Sequence, residues 1–390
     1  MSDRMPYLTS KLQGFGTTIF GEMSALALAT NSVNLGQGFP DTDGPREVLD
    51  AAIDAINSGQ NQYPPAIGVP SLREAIAEHQ QRFYGLTFDP VTEVLVTAGS
   101  SEGLASALLA LLDTGDEVIT FEPMFDIYQA CIAMAGGQVK AITLRPPTYG
   151  FDIDEVRAAI TPRTKIILVN SPHNPTGKVF NREELQAIAD IAIEHDLIVI
   201  TDEVYEHLTF DGLEHIPLST LPGMRERTLT ASSGGKTFNT TGWKVGWLVG
   251  PAALVSAART AKQYLTFVSS GPFQPAIAVG LRLPDQFFAG IAADLQAKRD
   301  RLCAGLTEAG FEVYLPQGTY FVTVDIRGLR PDGDGMAFCR ELPKLCSVVA
   351  IPNQVFYTDQ RRGRHLVRFA FSKRLEVLDE AVSRLKTLAS

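Results

Sequence analysis

Residues 227–247, RTLTASSGGKTFNTTGWKVGW, place Lys236 directly after two glycines at the end of an apolar run. Two kinds of protein put a lysine there: a P-loop protein uses it to bind phosphate, and a carbonyl-binding enzyme uses it as the reacting amine. The P-loop pattern Gly-x-x-x-x-Gly-Lys-Ser/Thr asks for glycine at position 230, where this chain has Thr230. The acid-terminated strand LIVITDE at 197–203 would suit a nucleotide-bound magnesium, but it precedes the lysine, whereas the phosphate loop normally comes first. The surrounding sequence therefore has to carry the carbonyl reading.

Working outward, short Val/Ile/Leu-rich runs (EVLVTAG from Glu93, EVITFEP from Glu117, KIILVNSP from Lys165, LIVITDE, RTLTAS) alternate with helix-period segments such as SSEGLASALLALL and NREELQAIADIAIEHD. That alternation predicts an α/β fold, a mainly parallel sheet with helices on both faces. Beyond VSSGPFQPAIAVG the pattern changes. Asp285 is placed to cap a long helix ended by Gly310. Strands FEVYL and TYFVTVDI follow, then a helix near Met336 to Cys346, strands SVVAI and HLVRFAF, and a helix from Leu375. The expected organisation is an N-terminal arm over 1–40 packed on the small domain, a large domain over 41–284, and a smaller α+β domain over 285–390.

In an open parallel sheet, ligands bind outside the carboxyl ends of the strands. Three consecutive strand ends lead to Asn174, to Asp202 with Tyr205, and to Ser233 with Lys236. A carboxylate closing an apolar strand is costly to bury unless a cation or good donors meet it. Pyridoxal 5'-phosphate offers Asp202 a protonated ring nitrogen, Lys236 an aldehyde, Asn174 and Tyr205 a phenolic oxygen, and Ser233 and Lys244 a phosphate. Each residue also has an ordinary reading. Asp202 suits a helix cap or an ion pair, Lys236 a solvated loop, and Asn174 before Pro175 a turn; it is their order and placement that point to one ligand.

Composition narrows the partners. Thirty-four Lys and Arg against forty-four Asp and Glu give a net charge of −10, which argues against nucleic acid and anionic membrane as partners. No run is long enough to span a bilayer and no signal-peptide pattern opens the chain, so a cytoplasmic protein is expected. The four cysteines fit no metal or redox spacing and are expected as reduced, buried thiols.

Six segments, VNLGQGFPD, NQYPPAIGVPSLREAIA, NSPHNPTGKVF, TDEVYEHLTFDG, SSGGKTFNTTGWKVGW and HLVRFAFSK, resemble in the same order the motifs of the class I fold-type I aminotransferases. The similarity is to the kynurenine and glutamine–phenylpyruvate branch. Within it SPHNPTG, AKQYL and PFQPAIA are most similar to bacterial N-succinyldiaminopimelate aminotransferases. The resemblance implies a pyridoxal-phosphate transaminase acting on amino acids and 2-oxo acids, and a homodimer with shared active sites. Lys236 would carry the cofactor and shuttle the proton, Asp202 would pair with the ring nitrogen, and Asn174 and Tyr205 would hold the phenolic oxygen. Phe125 would stack on the ring. Gly99, Ser100 and Ser101, opening a helix, would take the phosphate with Ser233 and Lys244. Tyr63 would reach that phosphate from the second subunit. Arg368, in an apolar strand, would grip the substrate α-carboxylate with help from the Gly38 backbone, and Phe20 would line the substrate pocket.

Two departures from the branch bear on the substrate. Phe20 and Ser101 stand where aromatic-preferring members carry larger rings, and Ser269 and Ser270 stand where they carry bulkier side chains. A wider, more polar pocket is expected, favouring a long or acylated amino acid, N-succinyl-LL-2,6-diaminopimelate with 2-oxoglutarate. The alternatives are a broad glutamine, methionine or aromatic transaminase and a cysteine-conjugate β-lyase. His173, within a motif, reads as structural.

Overall fold

The computed structural model describes residues 7–16 and 18–389, so positions 1–6 and 17 of the expected arm and position 390 lie outside the described residues. Thirteen strands run in chain order: β1 Val33–Asn34, β2 Val94–Ala98, β3 Glu117–Glu122, β4 Gln138–Thr143, β5 Thr164–Asn170, β6 Ile198–Asp202, β7 Thr228–Ser233, β8 Val245–Val249, β9 Glu312–Tyr314, β10 Phe321–Asp325, β11 Val348–Val349, β12 Ile351–Pro352 and β13 Leu366–Ala370.

Seven of them form one sheet in the order β2-β8-β7-β6-β5-β3-β4. Only β8 runs against its neighbours, pairing antiparallel with both β2 and β7. The apolar runs are continuous because both faces are covered. Ile166, Leu168, Ile200, Leu229 and Leu248 face the helices Gly99–Leu111, Asp126–Ala135 and Ala252–Lys262. The alternate residues Ile167, Val169 and Val199 face the helix Arg182–Glu194, which Asn181 and Glu184 open with a reciprocal capping box. At the other end of that face Val94, Val96 and Trp247 lie under the helices Pro70–Tyr84 and Phe273–Leu281.

The C-terminal region is an antiparallel sheet, β12-β13-β10-β9, covered by the helices Asp285–Glu308, Gly335–Cys346 and Leu375–Leu385. Met23 and Ala27, from the helix Ile19–Thr30, belong to the same apolar cluster as Leu302, Phe338 and Val367 of this region. The arm is also bonded to it, by parallel pairing of β1 with β11 and by the amide of Ala370 donating to the Leu35 carbonyl at 2.7 Å.

Two local expectations change. Asp285 is the first helical residue and Pro284 holds the cap position; the Asp285 carboxylate instead takes the Arg82 guanidinium. The helix does end with Gly310 at φ +91°, a conformation glycine reaches without a Cβ penalty. The run SVVAI is two short strands with different partners, since β11 turns to the arm while β12 pairs with β13. Pro352, lacking an N–H, is tolerated because β12 is an edge strand.

Candidate active site

The carboxyl ends of the parallel strands open on a cavity of about 360 Å³. The register brings three ends level: Asn170 pairs with Asp202, Asp202 with Ala231, and Ser233 with Gly246 of β8. Because β8 is antiparallel, its first residue and the preceding Lys244 come back to the same edge. The cavity is lined by Phe20, Gly38, Gly99, Ser100, Ser101, Phe125, Asn174, Asp202, Tyr205, Ser233, Lys236, Lys244 and Arg368, all of which the sequence had singled out. Tyr63, Ser269 and Ser270 are the exceptions: all three lie outside the cavity, beside a separate surface hollow, so the two serines do not widen this pocket, and Tyr63 is 84% exposed with its ring edge-on to Phe267 at 5.9 Å.

Asp202 is buried, and its Oδ2 accepts a 2.7 Å hydrogen bond from the Tyr128 hydroxyl. Burial pushes its carboxyl up to about 6, against the opposing pull of Tyr128, the Val204 amide and the charge of Lys236. A buried carboxylate in that position gains from a cation. Lys236 follows β7 in the short helical turn Gly234–Thr237, its Nζ 5.8 Å from the Tyr205 ring centre and 5.7 Å from that of Tyr320. A Cβ at Gly235 would lie a tight 3.0 Å from the Thr241 Cα.

The helix Gly99–Leu111 points its N-terminus at the cavity; its cap residue Ala98 has no capping side chain, and the Ala98 amide donates to Glu102. Gly99 adopts φ +70°, and a Cβ on it would lie 3.1 Å from the Lys244 ammonium. Free first-turn amides, two serine hydroxyls and a lysine make a cradle for a compact anion. Burial and the nearby Lys236 charge lower the Lys244 ammonium below its usual range, against the opposing pull of Glu102.

Arg368, 1% exposed, forms no ion pair among the described residues. Its Nη1 donates to Asn174 Oδ1 and its Nη2 to the Gly36 carbonyl, both at 3.0 Å, while its Nε is buried without a partner. The guanidinium lies 3.9 Å from the Phe321 ring centre and near Phe20 and Phe356. Burial lowers it to about 10. The backbone carbonyl beside Arg368 is thus that of Gly36; the Gly38 carbonyl accepts from Tyr320 instead, at 2.6 Å.

Several lining residues were not anticipated, among them Tyr128, Asn170, Gln37, Thr241 and Phe321. Tyr128 stands one helical turn beyond Phe125, a spacing that marks a shared face. Asn170 braces the site from within: its Nδ2 donates to the Asp202 carbonyl and its Oδ1 accepts the Asn174 amide. Behind the Asp202 turn, Glu206 accepts from Tyr84 and Ser232, and the Nε2 atoms of His79 and His207 meet at 2.7 Å, a buried polar cluster satisfied within itself. His173 is buried, its Nδ1 bonded to Thr176 and its Nε2 without a partner among the described residues. All four cysteines are free and buried.

These groups fit pyridoxal phosphate. The helix start with its first-turn amides matches its phosphate, the buried acid its ring nitrogen, and the buried Arg368 guanidinium, which pairs with no carboxylate among the described residues, a substrate carboxylate. Fold and site define a pyridoxal-phosphate enzyme of fold type I. The chain belongs to the aminotransferase class I and II family, whose family model matches residues 30–385, and it is a pyridoxal-phosphate-dependent transaminase. It is 51% identical, over 97% of this chain and 98% of the relative, to a Mycobacterium tuberculosis protein described as a probable N-succinyldiaminopimelate aminotransferase. It is 41% identical, over 97% of this chain and 98% of the relative, to the methionine aminotransferase of Escherichia coli. The solved structure of N-succinyldiaminopimelate aminotransferase from Mycobacterium tuberculosis matches with a TM-score of 0.96 at 51% identity, covering 98% of this chain and 100% of that one.

Proposed function

We propose that this transaminase moves the amino group between N-succinyl-LL-2,6-diaminopimelate and 2-oxoglutarate, as a cytoplasmic homodimer. The observation that carries the reading is the buried Arg368 with an unpaired Nε, in the same cavity as Lys236 and Asp202. An uncompensated guanidinium there calls for a carboxylate, which every amino acid and 2-oxo acid brings. The particular substrate is supported by the 51% identity to the mycobacterial relative over nearly the full length of both chains. Ser101, Gln37 and Thr241 add polar lining suited to an acylated chain.

When bound, the cofactor supplies an aldehyde that condenses with amines and a ring that delocalises the charge left on removing the α-proton. Lys236 would hold it, and its Nζ would move the proton at the substrate α-carbon. Asp202 would pair by its charge with the protonated ring nitrogen, its Oδ2 braced by Tyr128 and its Oδ1 by the Val204 amide. Asn174 gives its Oδ1 to Arg368, which leaves its Nδ2 and the Tyr205 hydroxyl to hold the phenolic oxygen. Phe125 stacks on the ring, and Gly99, Ser100, Ser101, Ser233 and Lys244 hold the phosphate. Phe20 and Phe321 exclude water around the carboxylate grip, with Gly38 at its edge. Tyr63 completes the phosphate site of the second copy, which fits its exposure beside Tyr264 and Phe267. No described helix is long and apolar enough to cross a membrane, as suits the cytoplasm.

The test is a panel of amino donors and 2-oxo acids on purified protein, including succinyldiaminopimelate, methionine, glutamine, kynurenine and a cysteine conjugate. Succinyldiaminopimelate should give the highest kcat/KM. A methionine or glutamine value tenfold higher would replace this reading with a broad transaminase, consistent with the 41% identity to the methionine enzyme. Pyruvate released from the conjugate without any 2-oxo acid would mark β-elimination.

A further inference from the structure

Two surface segments beside the phosphate end of the site, 61–69 with Tyr63 and 262–274, are tied together by two buried side chains outside the site described above. Lys262 is 2% exposed, and its Nζ donates to the Ala66 carbonyl at 3.1 Å and the Phe267 carbonyl at 2.5 Å. It forms no ion pair among the described residues. Gln274, equally buried, accepts from the Val69 amide at 2.8 Å and donates to the Ser269 carbonyl at 2.6 Å. Each therefore bridges the same two segments, one from each end.

Burying an ammonium against two carbonyls is unfavourable even with the Glu102 charge nearby, and here the ammonium holds two segments together. What it orders is strained. Phe267 has φ +63°, rare for a bulky residue and stable only where its surroundings impose it, and the Phe267 carbonyl is one of the two that Lys262 holds. Ser270, at φ +57°, donates to the carbonyls of Trp243 and Lys244, fixing the second segment to the phosphate cradle itself. The outcome is a rigid base from which the exposed rings of Tyr63, Phe267 and Tyr264 project.

We infer that Lys262, with Gln274, is a positioning residue for Tyr63, locking its segment onto 262–274 so that the Tyr63 hydroxyl meets the phosphate of a second copy already ordered. The inference rests on the dimer reading above. A preordered donor loses less conformational entropy on binding, so the clamp acts on cofactor affinity rather than on proton transfer.

The experiment is a double-mutant cycle on the full-length dimer, reading the pyridoxal phosphate dissociation constant by absorbance titration for Tyr63→Phe, Lys262→Met and both together. Each single change should weaken binding roughly tenfold, the effect of one hydrogen bond to a charged group, and the pair no more than either alone. Sedimentation should find all three variants dimeric. A normal dissociation constant for Tyr63→Phe would remove the dimer-site reading and this inference with it. A clear effect of Tyr63→Phe with none from Lys262→Met, additive losses, or a monomeric Lys262→Met would overturn the positioning role alone. Should Lys262→Met fail to fold, the same cycle with Gln274→Met decides by the same outcomes.

Discussion

The Tyr128 hydroxyl donates to Asp202 Oδ2 at 2.7 Å, and both groups are buried beneath the cavity floor. That bond occupies Oδ2 while Oδ1 accepts the Val204 amide at 3.4 Å, yet burial outweighs both and holds the acid at about 6. The protein without cofactor therefore carries a carboxylate it would be more stable without. From the usual 3.8 to about 6, the shift corresponds to roughly 3 kcal/mol.

The sign of that cost gives a first prediction. A carboxyl whose folded value lies above its unfolded one binds its proton more tightly when folded, so stability falls as pH rises from about 4 to about 6 and stays reduced above. Cofactor-free Asp202→Asn should thus be more stable than cofactor-free wild type above pH 6, by up to about 3 kcal/mol. The advantage should vanish below pH 4. Denaturant unfolding of both proteins across that range checks it, and equal stability at pH 7.5 would contradict the burial cost. The same substitution should nearly abolish amino transfer, since Asn cannot hold a ring-nitrogen proton by charge.

Lys236→Ala removes the only lysine in the short helix Gly234–Thr237 and leaves the sheet core untouched. Turnover should fall by about 10⁴-fold or more, while the unfolding midpoint stays within the scatter of ordinary surface substitutions. Stopped assays with the preferred substrate pair, beside circular dichroism, measure both. Residual turnover within tenfold of wild type would exclude Lys236 as the proton carrier.

The residues that were legible in the sequence share a reason. Asn174, Asp202, Ser233 and Lys236 follow the ends of apolar strands, where the polar residue breaks a pattern, and Arg368 interrupts an apolar strand. Tyr128 broke nothing: a tyrosine on a helix between Ile127 and Cys131 looks like core, and only the fold brings it to Asp202. Phe125 was recognisable through the family motif alone for the same cause. The reversed direction of β8 was hidden because a short apolar run reads alike either way, yet that reversal is what returns Lys244 to the site. SVVAI gave no sign of changing partner, since pairing across 300 residues leaves no local periodicity.

Arg368 supports a prediction with two halves. Arg368→Met should raise KM about 100-fold for every amino acid and 2-oxo acid tested, as expected from losing a bidentate charged contact. Without ligand, the same variant should be at least as stable as wild type, because the buried guanidinium has no carboxylate partner and one orphaned nitrogen. Steady-state kinetics and unfolding of the unliganded protein test the halves separately. An effect limited to one substrate would place Arg368 at a side-chain subsite instead.

The phosphate cradle depends on a contact that no side-chain movement can relieve. A Cβ at Gly246 would stand 2.4 Å from the carbonyl carbon of Gly99 and 2.5 Å from the Ser100 amide nitrogen, both backbone atoms at the start of the helix Gly99–Leu111. Gly246→Ala must therefore displace that helix start or strand β8, at a cost of about 1–3 kcal/mol for overpacking. With the displaced amides proposed as the phosphate donors, cofactor affinity should fall by at least tenfold alongside stability. Gly242 is the control: nothing lies within 4 Å of a Cβ there, and Gly242→Ala should leave both quantities within error. Absorbance titration with pyridoxal phosphate and thermal unfolding of the two variants make the comparison. If Gly246→Ala lost stability but bound the cofactor normally, the start of this helix would not be where the phosphate sits.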